Sequence, residues 1–555
     1  MIFQDAVRTV LPVCSGQKRV RSFIAGEWVW GYGNEYVSIV NPATEERLAI
    51  VCDVASCELD AAFSAARDAQ EHWYFEVTQE EKERVFRRVA ALLEECRGPL
   101  AWVLIQEGGK LWKWADAEVQ EAIDTVWHYH GEIGRMYGRQ IPCQMPDKMA
   151  FTLRRPYGVI LGITPWNFPL AVPSWKIFMA LAGGNAIIVK GAEQTPTTLS
   201  LLCYLVERAM IDEFGATKAR RLSSILQAIH GKGETVGAYA LEHGAYDKVL
   251  FTGGSETGAI VAAAAGRRRK PVELELGGHG AMILLSDYPM DRAVDEAITA
   301  NLGDSGQRCV SARAVFAVQG RADEFVARYW ERARHVRIGN PANPDTAVGP
   351  LVSKEQMERA HGDIQRAVAS GCLQCHGGSP FLGHDGLRIW YPNAAPEVWS
   401  KGYYFTPTVL RTESLANYAM QEEIFGPVLS VQSFSDSNRE EAVWNAVKLV
   451  NASRYGLSNA ILTNQLDLAM KAAERIKTGI LYIGRGTTGA EVGKPFGGIK
   501  DSGFGREAFG LEEVTYEETV YIDYHGKPRM AQAGAEEGTL ARLEAAKDEG
   551  KRVFA

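Results

Sequence analysis

Cys309 follows a run of small and polar residues, Ser305-Gly306-Gln307-Arg308, in a chain of 555 residues. A cysteine in such surroundings attacks an electrophilic carbon if nearby groups stabilise its thiolate. Taken alone, the pattern fits a buried structural cysteine better, because the thiol also behaves as a small apolar group. Its chemistry therefore depends on which other groups the fold places beside it.

Three further motifs supply groups that a reaction at a thiol needs. Glu275 lies in an apolar strand, where burial raises a carboxyl pKa and suits a general base, although a salt-bridged glutamate fits the pattern equally well. Asn167 lies between Pro165 and Pro169, and an amide on such a rigid loop suits an oxyanion hole. The segment 251–258 reads as a strand that feeds a glycine-rich helix start, which favours phosphate binding but differs from the usual dinucleotide fingerprint.

Alternating strands and helices must position these groups. Short apolar runs separated by segments of helical periodicity predict an α/β fold, with a parallel sheet covered by helices on both faces. Ligands in such folds bind beyond the carboxyl ends of the strands. We predict strands at 158–163, 186–190, 224–227 and 248–252, and helices at 59–71, 79–97, 115–137, 172–182, 197–214 and 233–242.

The uncharged stretch 158–175 is long enough to suggest a membrane span. It contains Pro165, Pro169 and Pro173, and three prolines at this spacing would break a helix repeatedly. We therefore interpret the stretch as a buried strand, a tight loop and the start of a helix, and expect no association with a membrane.

Composition limits the classes of protein that fit. The length exceeds what one hydrophobic core supports, so several domains are expected. The formal net charge of −8 gives no reason to expect nucleic acid as a partner. Nine scattered cysteines and an N-terminus without a basic region before an apolar core favour a reducing, cytoplasmic location. We expect no metal.

Taken together, the motifs resemble the aldehyde dehydrogenase superfamily from about Phe23 to about Tyr524. Glu275 precedes Cys309 by 34 residues, which is the usual separation of base and nucleophile in that family. Further matching blocks are Val189-Lys190 to Pro196, Glu422 to Pro427 and Pro495 to Glu507. The resemblance implies a Rossmann-like cofactor domain, an α/β catalytic domain and a small β oligomerisation element.

The resemblance also implies a reaction. Cys309 would attack the aldehyde carbonyl, and the amide of Asn167 with the backbone N–H of Cys309 would hold the oxyanion. Hydride transfer to NAD would leave a thioester, which water activated by Glu275 would hydrolyse to the acid. Lys176 matches a lysine sometimes given a proton-relay role.

The implied cofactor is NAD. Lys190 and Glu193 match positions that bind the adenine ribose, and Glu423 matches the residue that holds the nicotinamide ribose. An acidic residue at 193 would repel a 2′-phosphate, so we predict NAD rather than NADP. The full set of cofactor residues is Thr164, Trp166, Lys190, Glu193, Gly253, Gly254, Ser255, Leu276, Glu423 and Phe425.

The segment 481–493 resembles the substrate-anchoring loop of the branch that oxidises glutamate semialdehyde (1-pyrroline-5-carboxylate). Backbone N–H groups at Gly489 and Ala490 would hold a carboxylate there. Two residues depart from that branch: Val310 replaces a serine and Gly484 an asparagine. We predict a medium-sized aldehyde as substrate, with glutamate semialdehyde as the runner-up.

Other departures from the family concern the tunnel and the cofactor site. Gly303 replaces a usual aromatic residue, and an extra segment appears at 387–401. The turn at 253–255 reads Gly-Gly-Ser rather than Gly-Ser-Thr, Gly191 replaces a proline and His279 a lysine. None of these positions is the thiol, the amide or the base.

Two other function classes stay open. A coenzyme A-acylating dehydrogenase would use the same thiol, although a water-activating Glu275 would compete with its acyl transfer. A catalytically inactive structural relative would not need Cys309, Glu275 and Asn167 intact. The spacing Cys372-Leu-Gln-Cys375-His376 fits haem attachment, but an ordinary strand is the preferred interpretation.

The family architecture implies the domain boundaries. The cofactor domain would comprise 1–136 and 159–275, and the catalytic domain 276–494. An oligomerisation element would combine 137–158 with 495–526, leaving 527–555 as a C-terminal tail. Exposed strands such as 518–523 favour pairing between subunits, so a homodimer or homotetramer is expected.

Overall fold

A computed structural model describes residues 2–378, 393–435 and 438–526, together with residues 546, 547, 550 and 551 of the tail. Residues 387–392 of the extra segment 387–401 and nearly all of the tail 527–555 therefore lie outside the described residues. Within the described parts, no helix is both long and apolar enough to cross a membrane.

The N-terminal part contains helices and two small groups of strands. In chain order these are α1 (Ile2–Val10), β1 (Val13–Cys14), β2 (Gln17–Val20), β3 (Ser22–Ile24), β4 (Glu27–Val29), β5 (Tyr36–Val40), β6 (Arg47–Cys52), α2 (Ser56–Phe75), α3 (Gln79–Glu95), α4 (Arg97–Gly108), α5 (Trp112–Glu132), β7 (Gln140–Ile141) and β8 (Lys148–Pro156).

The next part alternates strand and helix. It comprises β9 (Val159–Ile163), α6 (Ala171–Ala182), β10 (Ala186–Lys190), α7 (Pro196–Leu222), β11 (Leu226–Ile229), α8 (Ala238–His243), β12 (Lys248–Thr252), α9 (Ser255–Arg267) and β13 (Val272–Glu275).

A second alternating block and a short C-terminal set of strands follow. They are β14 (Gly280–Leu284), α10 (Met290–Leu302), β15 (Ala312–Val318), α11 (Ala322–Ala333), α12 (Lys354–Ala369), β16 (Gln374–His376), β17 (Thr408–Arg411), α13 (Tyr418–Gln421), β18 (Val428–Phe434), α14 (Arg439–Ala452), β19 (Tyr455–Gly456), β20 (Ser458–Leu462), α15 (Leu466–Ala473), β21 (Ile480–Ile483), β22 (Ile499–Lys500), β23 (Gly503–Phe504) and β24 (Thr515–Asp523).

An eight-stranded sheet carries the first set of candidate groups. Its order is β23-β13-β12-β9-β10-β11-β3-β4, and the five strands from β13 to β11 run parallel. Strands β9 to β12 contain almost only apolar residues that are buried, as expected for strands covered on both faces. The predicted α/β fold with a parallel sheet is therefore confirmed, and 158–175 is a strand, a loop and a helix start.

A seven-stranded sheet forms the second layered unit. Its order is β16-β17-β18-β15-β14-β20-β21. Helices α10 and α11 pack on one face and α14 and α15 on the other, and each face has its own apolar cluster. His376, from the spacing that fits haem attachment, lies in edge strand β16 and pairs with Val409 of β17.

Some predicted boundaries were wrong for local reasons. The strand predicted at 224–227 is β11 at 226–229, because residues 223–225 form a turn of 3₁₀ helix. Helix α4 was not predicted; Pro99 lies in its first turn, where proline is tolerated. Helix α7 continues to Leu222 past a kink at Gly215, whose φ is +73°.

Candidate active site

The segment before β15 presents Cys309. Asp304 and Ser305 both have positive φ values, of 54° and 56°, an unusual conformation that marks a strained or functional turn. The guanidinium of Arg313 donates hydrogen bonds to the carbonyls of Gly306, at 2.6 Å, and Arg308, at 3.0 Å. These bonds hold the backbone on both sides of the cysteine in one conformation.

Asn167 contacts the segment before Cys309 from a distant part of the chain. Its Nδ2 donates a hydrogen bond of 2.9 Å to the carbonyl of Gln307, two residues before the cysteine. The donor comes from the loop between β9 and α6, and 140 residues separate the two partners in sequence. An amide donor therefore lies beside the backbone that leads to Cys309.

Glu275 ends β13 and is 2% exposed. A side chain at Gly497 would place its Cβ 2.5 Å from Glu275 Oε1, and Gly497 has a φ of +156°. Only glycine allows this backbone to pass so close to the carboxyl group. Burial first, and then the charge of Glu273, raise the pKa of Glu275 well above its usual value, against the opposing effect of Lys176.

The thiol of Cys309 is not activated by its protein surroundings alone. Burial raises its pKa to about 12, and the carboxylates of Glu423 and Glu275 act in the same direction. Arg313 is the cation that opposes them. Since a thiol with this pKa is protonated at neutral pH, attack on a substrate needs a base or an added positive charge nearby.

Lys176 lies in α6, fully buried, and its Nζ contacts Glu507 Oε1. Burial lowers its pKa to about 8, although Glu273 and Glu275 raise it. Thr252, at the end of β12, also donates to Glu507, at 3.4 Å. Lys176 therefore belongs to a buried cluster of charged side chains near Glu275.

The predicted cofactor residues meet near the carboxyl ends of the strands. The rings of Trp166 and Phe425 pack edge to face with centroids 5.5 Å apart. A Cβ at Gly277 would lie 2.2 Å from Glu423 Oε2 and 3.4 Å from Ser255 Oγ, which places these two side chains together. Glycine at 277 keeps that space open.

Two buried polar atoms in this region, Thr164 Oγ1 and Glu423 Oε1, have no hydrogen-bond partner among the described residues, although the guanidinium of Arg313 lies 3.8 Å from the Glu423 oxygen. Buried polar atoms without a hydrogen bond are candidate contacts for a polar ligand. Burial raises the pKa of Glu423 to about 7. Helix α9 begins at Ser255 with Gly254 as its N-cap, and a Cβ at Gly254 would meet no atom within 4 Å.

The remaining predicted cofactor residues flank this region. Lys190 ends β10 and its Nζ lies 3.0 Å from Glu193 Oε2, with the lysine buried and the glutamate partly exposed. Leu276 follows Glu275 and packs against Gly258 of α9. Gly253 follows β12, and its N–H donates to the carbonyl of Glu275.

Apolar side chains pack around Cys309. Val310, 9% exposed, packs in one cluster with Val172, Trp175 and Phe496, against which Phe168 and Cys309 also pack. Among the residues that form this cluster, only Val310 was predicted as a substrate-binding residue. The others come from α6 and from the loop before β22, which only the fold brings together.

Trp114 and Arg308 were not predicted as site residues. A Cβ at Gly303 would lie 3.4 Å from the indole of Trp114, and the guanidinium of Arg308 stacks on that indole at 3.8 Å. Trp114, from α5, therefore occupies space beside the position where the family usually has an aromatic side chain.

The turn predicted to anchor the substrate lies at the protein surface. Gly489 has a φ of +111°, and both Gly489 and Ala490 are exposed. A Cβ at Gly489 would lie 2.3 Å from the guanidinium of Arg485, which itself donates to the carbonyl of Thr488 at 2.9 Å. The turn thus has a cation directly beneath it.

Comparisons with known proteins identify the family and the fold. A curated aldehyde dehydrogenase of Emericella nidulans is 32% identical over 513 residues, covering 92% of this chain and 96% of its own. A putative aldehyde dehydrogenase from Burkholderia cenocepacia matches with a TM-score of 0.82 at 29% identity, over 92% of this chain and 99% of its own. Betaine aldehyde dehydrogenase from Staphylococcus aureus, solved in complex with NAD+, matches with a TM-score of 0.84 at 28% identity, over 96% and 100% of the two chains.

The family model for the aldehyde dehydrogenase family matches residues 28–520. This range includes the candidate thiol, amide and base as well as every candidate cofactor residue. With the fold, the relatives and this match in agreement, the chain belongs to the aldehyde dehydrogenase family.

Proposed function

We propose that this protein oxidises an aldehyde to a carboxylic acid with NAD, through a thioester on Cys309 that Glu275 then helps to hydrolyse. The observation that carries the proposal is the convergence of three groups from separate elements. Asn167 donates to the backbone two residues before Cys309, and Glu275 is close enough to raise the pKa of the thiol. Thiol, amide donor and carboxyl are the groups that this chemistry uses.

The first half of the reaction forms the thioester. An aldehyde has no leaving group, so attack by the Cys309 sulfur gives a tetrahedral adduct whose oxyanion the Asn167 amide and the Cys309 N–H stabilise. One such donor typically contributes about 3 kcal/mol to transition-state stabilisation. NAD, when bound, supplies the hydride acceptor and a positive ring that favours the thiolate.

The second half releases the acid. Glu275 takes a proton from water, the oxygen attacks the thioester carbon, and the Cys309 sulfur leaves. A carboxyl group whose pKa is raised by burial is a stronger base than an exposed carboxylate, which suits it to this step near neutral pH.

Several observations support NAD as the cofactor. The oxygens of Thr164 and Glu423 that lack a hydrogen bond, and the open N-terminus of α9, fit a ligand with ribose hydroxyls and a pyrophosphate. Solved relatives of the same fold, such as betaine aldehyde dehydrogenase from Staphylococcus aureus, contain NAD+.

We expect catalytic efficiency with NAD to exceed that with NADP by at least about tenfold, because a carboxylate at the adenosine ribose repels a 2′-phosphate. The carboxylate is that of Glu193, held 3.0 Å from Lys190. Glu193→Ala should narrow the ratio, since it frees Lys190 for a phosphate. Initial rates with the two cofactors measure both effects; a preference for NADP in the unmodified protein would contradict the assignment.

For the substrate we propose a medium-sized aldehyde, with glutamate semialdehyde as the second candidate. The apolar walls at Val172, Trp175, Val310 and Phe496 support the first. The turn at 488–490, which is exposed at Gly489 and Ala490 and lies against the guanidinium of Arg485, supports the second. A carboxylate held there would lie near a positive charge.

Val310→Ser should improve catalytic efficiency with glutamate semialdehyde and reduce it with an unbranched apolar aldehyde. A hydroxyl that bonds a charged group is worth about 1.5–3 kcal/mol, or roughly ten- to a hundredfold. Efficiencies with both aldehydes provide the measurement. Val310→Ala is the matched control, since it enlarges the pocket without adding a hydroxyl; equal effects of Ser and Ala on the acidic substrate would show that the hydroxyl contributes nothing.

The two alternative classes are separated by one assay. NADH formation with an aldehyde panel, with and without coenzyme A, distinguishes hydrolysis from transfer to a thiol and from inactivity. Production of the free acid at a rate independent of coenzyme A supports the proposal. A strict requirement for coenzyme A, or absence of NADH with every aldehyde, would contradict it.

We also propose the domain division given by the family and a homo-oligomeric assembly. Strand β24 pairs with β8 along its whole length and forms the outer edge of a three-stranded sheet. Its exposed apolar residues include Tyr521 and Ile522. An open, partly apolar edge of this kind supports pairing with a second subunit.

A further inference from the structure

A second buried carboxylate lies next to the base. Glu273 and Glu275 are two residues apart in β13, so their side chains project from the same face of the sheet. They are 1% and 2% exposed, and no described residue gives any of their four oxygens a well-formed hydrogen bond. Because unpaired buried carboxyl groups are unfavourable for folding, they mark candidate functional positions.

Charged residues of both signs lie around Glu273, but none of the described ones forms a hydrogen bond with its carboxyl oxygens. Lys176, Lys248 and Arg506 lower its pKa while Glu513 raises it, and burial outweighs them all, so that the pKa is about 7. Other titratable groups near the pair are Tyr129 and Glu507, the second of which contacts Lys176. A carboxyl group in this balance both binds and releases a proton near neutral pH.

Gly505 packs against the side chain of Glu273 and also lines a surface cavity. Strand β23 lies beside β13, and a Cβ at Gly505 would be 2.2 Å from Glu273 Cγ. Gly505, Arg506 and Glu513 also line a surface cavity of about 580 Å³. Glu513 Oε1 accepts from the Arg506 N–H at 3.2 Å, and its Oε2 lies 3.1 Å from Lys248 Nζ.

The proposed reaction needs such an outlet. Aldehyde, NAD+ and water give carboxylate, NADH and two protons, and over a full turnover both protons come from the water: one is removed as the water attacks and the other leaves with the carboxylic acid. The proton that the thiol loses before its attack is regained when the sulfur leaves. Glu275 takes up the proton from water and must lose it before the next turnover. Glu275 is itself 2% exposed, so its proton must cross the interior.

We propose that Glu273 receives this proton from Glu275 and passes it to solvent through the cavity at Gly505, Arg506 and Glu513. Water carries the proton between the two carboxyl groups, because they are not in direct contact. Glu273 thus acts through Glu275, resetting its protonation, and does not touch the substrate. This inference rests on the proposed thioester hydrolysis.

The test is Glu273→Gln, which keeps the shape of the side chain but cannot hold an exchanging proton. We expect the first NADH per active site to form at a rate within about twofold of the unmodified protein, since the hydride step precedes the proton's exit. Steady-state kcat should fall about tenfold, with KM little changed. Added imidazole, a small proton carrier, should restore several-fold of the lost rate.

Two further variants complete the experiment. Glu513→Gln, at the cavity, should show a smaller loss of kcat that imidazole also restores. Glu71→Gln, exposed on α2, is the control and should match the unmodified protein. If Glu273→Gln folds poorly, Glu513→Gln carries the test on its own.

Three results would overturn the inference. One is an unchanged kcat for Glu273→Gln between about pH 6 and 9. Another is a loss that affects the first turnover equally and that imidazole does not restore, because this would indicate a structural role. The third is an unchanged kcat for Glu513→Gln if only that variant folds. Failure of the unmodified protein to form NADH would instead refute the proposed function.

Discussion

Cys309→Ala should lower dehydrogenase activity by about 10⁴-fold or more, because no tetrahedral adduct can form without the nucleophile. The side chain packs against an apolar cluster that includes Phe496 and Trp175. Removing its sulfur changes none of the candidate cofactor residues. NAD affinity should therefore change little.

The measurements for this variant are initial rates of NADH formation and NAD titration by protein fluorescence. Cys57→Ala is the matched control, because Cys57 is exposed near the start of α2, in a different part of the fold. It should retain full activity. Turnover by Cys309→Ala above about one per cent of the unmodified rate would contradict the assignment.

Glu275→Gln should separate the two halves of the reaction. Glutamine keeps the size of the side chain and cannot accept a proton from water, so hydrolysis of the thioester should slow by about 10²- to 10³-fold. Thioester formation precedes this step, and one NADH per active site should appear in a rapid burst. Stopped-flow absorbance of NADH measures both phases.

The pH dependence of this variant follows from the raised pKa of Glu275. In the unmodified protein the base is lost as pH falls through that pKa, so hydrolysis weakens toward acid pH and strengthens toward alkaline pH. Glutamine does not titrate, and this acid limb should disappear from the slow phase. Glu71→Gln is again the exposed control. An unchanged steady-state rate in Glu275→Gln would remove the residue from this role.

The fold follows from sequence patterns where strands are short, apolar and bounded by turns. Strands 186–190 and 248–252 are found at the predicted residues, because burial on both faces leaves a continuous apolar run. The boundary near 224 was wrong because Ser223 and Ser224 join a 3₁₀ turn whose burial resembles that of a strand. Helix α4 was missed although Leu100, Leu104 and Ile105 are buried, and its Trp102 is exposed.

The site is less predictable, since its partners come from distant parts of the chain. Motif spacing identifies Cys309, Glu275 and Asn167 as candidates, but not what they contact. The partner of Lys176 is Glu507, 331 residues away, and Trp114 meets Arg308 across two elements. Glu273 was overlooked because its importance depends on which strand and glycine pack beside it.

The most direct test of the thioester is mass spectrometry of Glu275→Gln quenched in acid after one turnover with NAD and an aldehyde. The account predicts a gain equal to the mass of the aldehyde less two hydrogen atoms, located on the peptide that contains Cys309. It also predicts that the amount of adduct equals the NADH formed. NADH production without an adduct, or an adduct on another cysteine, would contradict it.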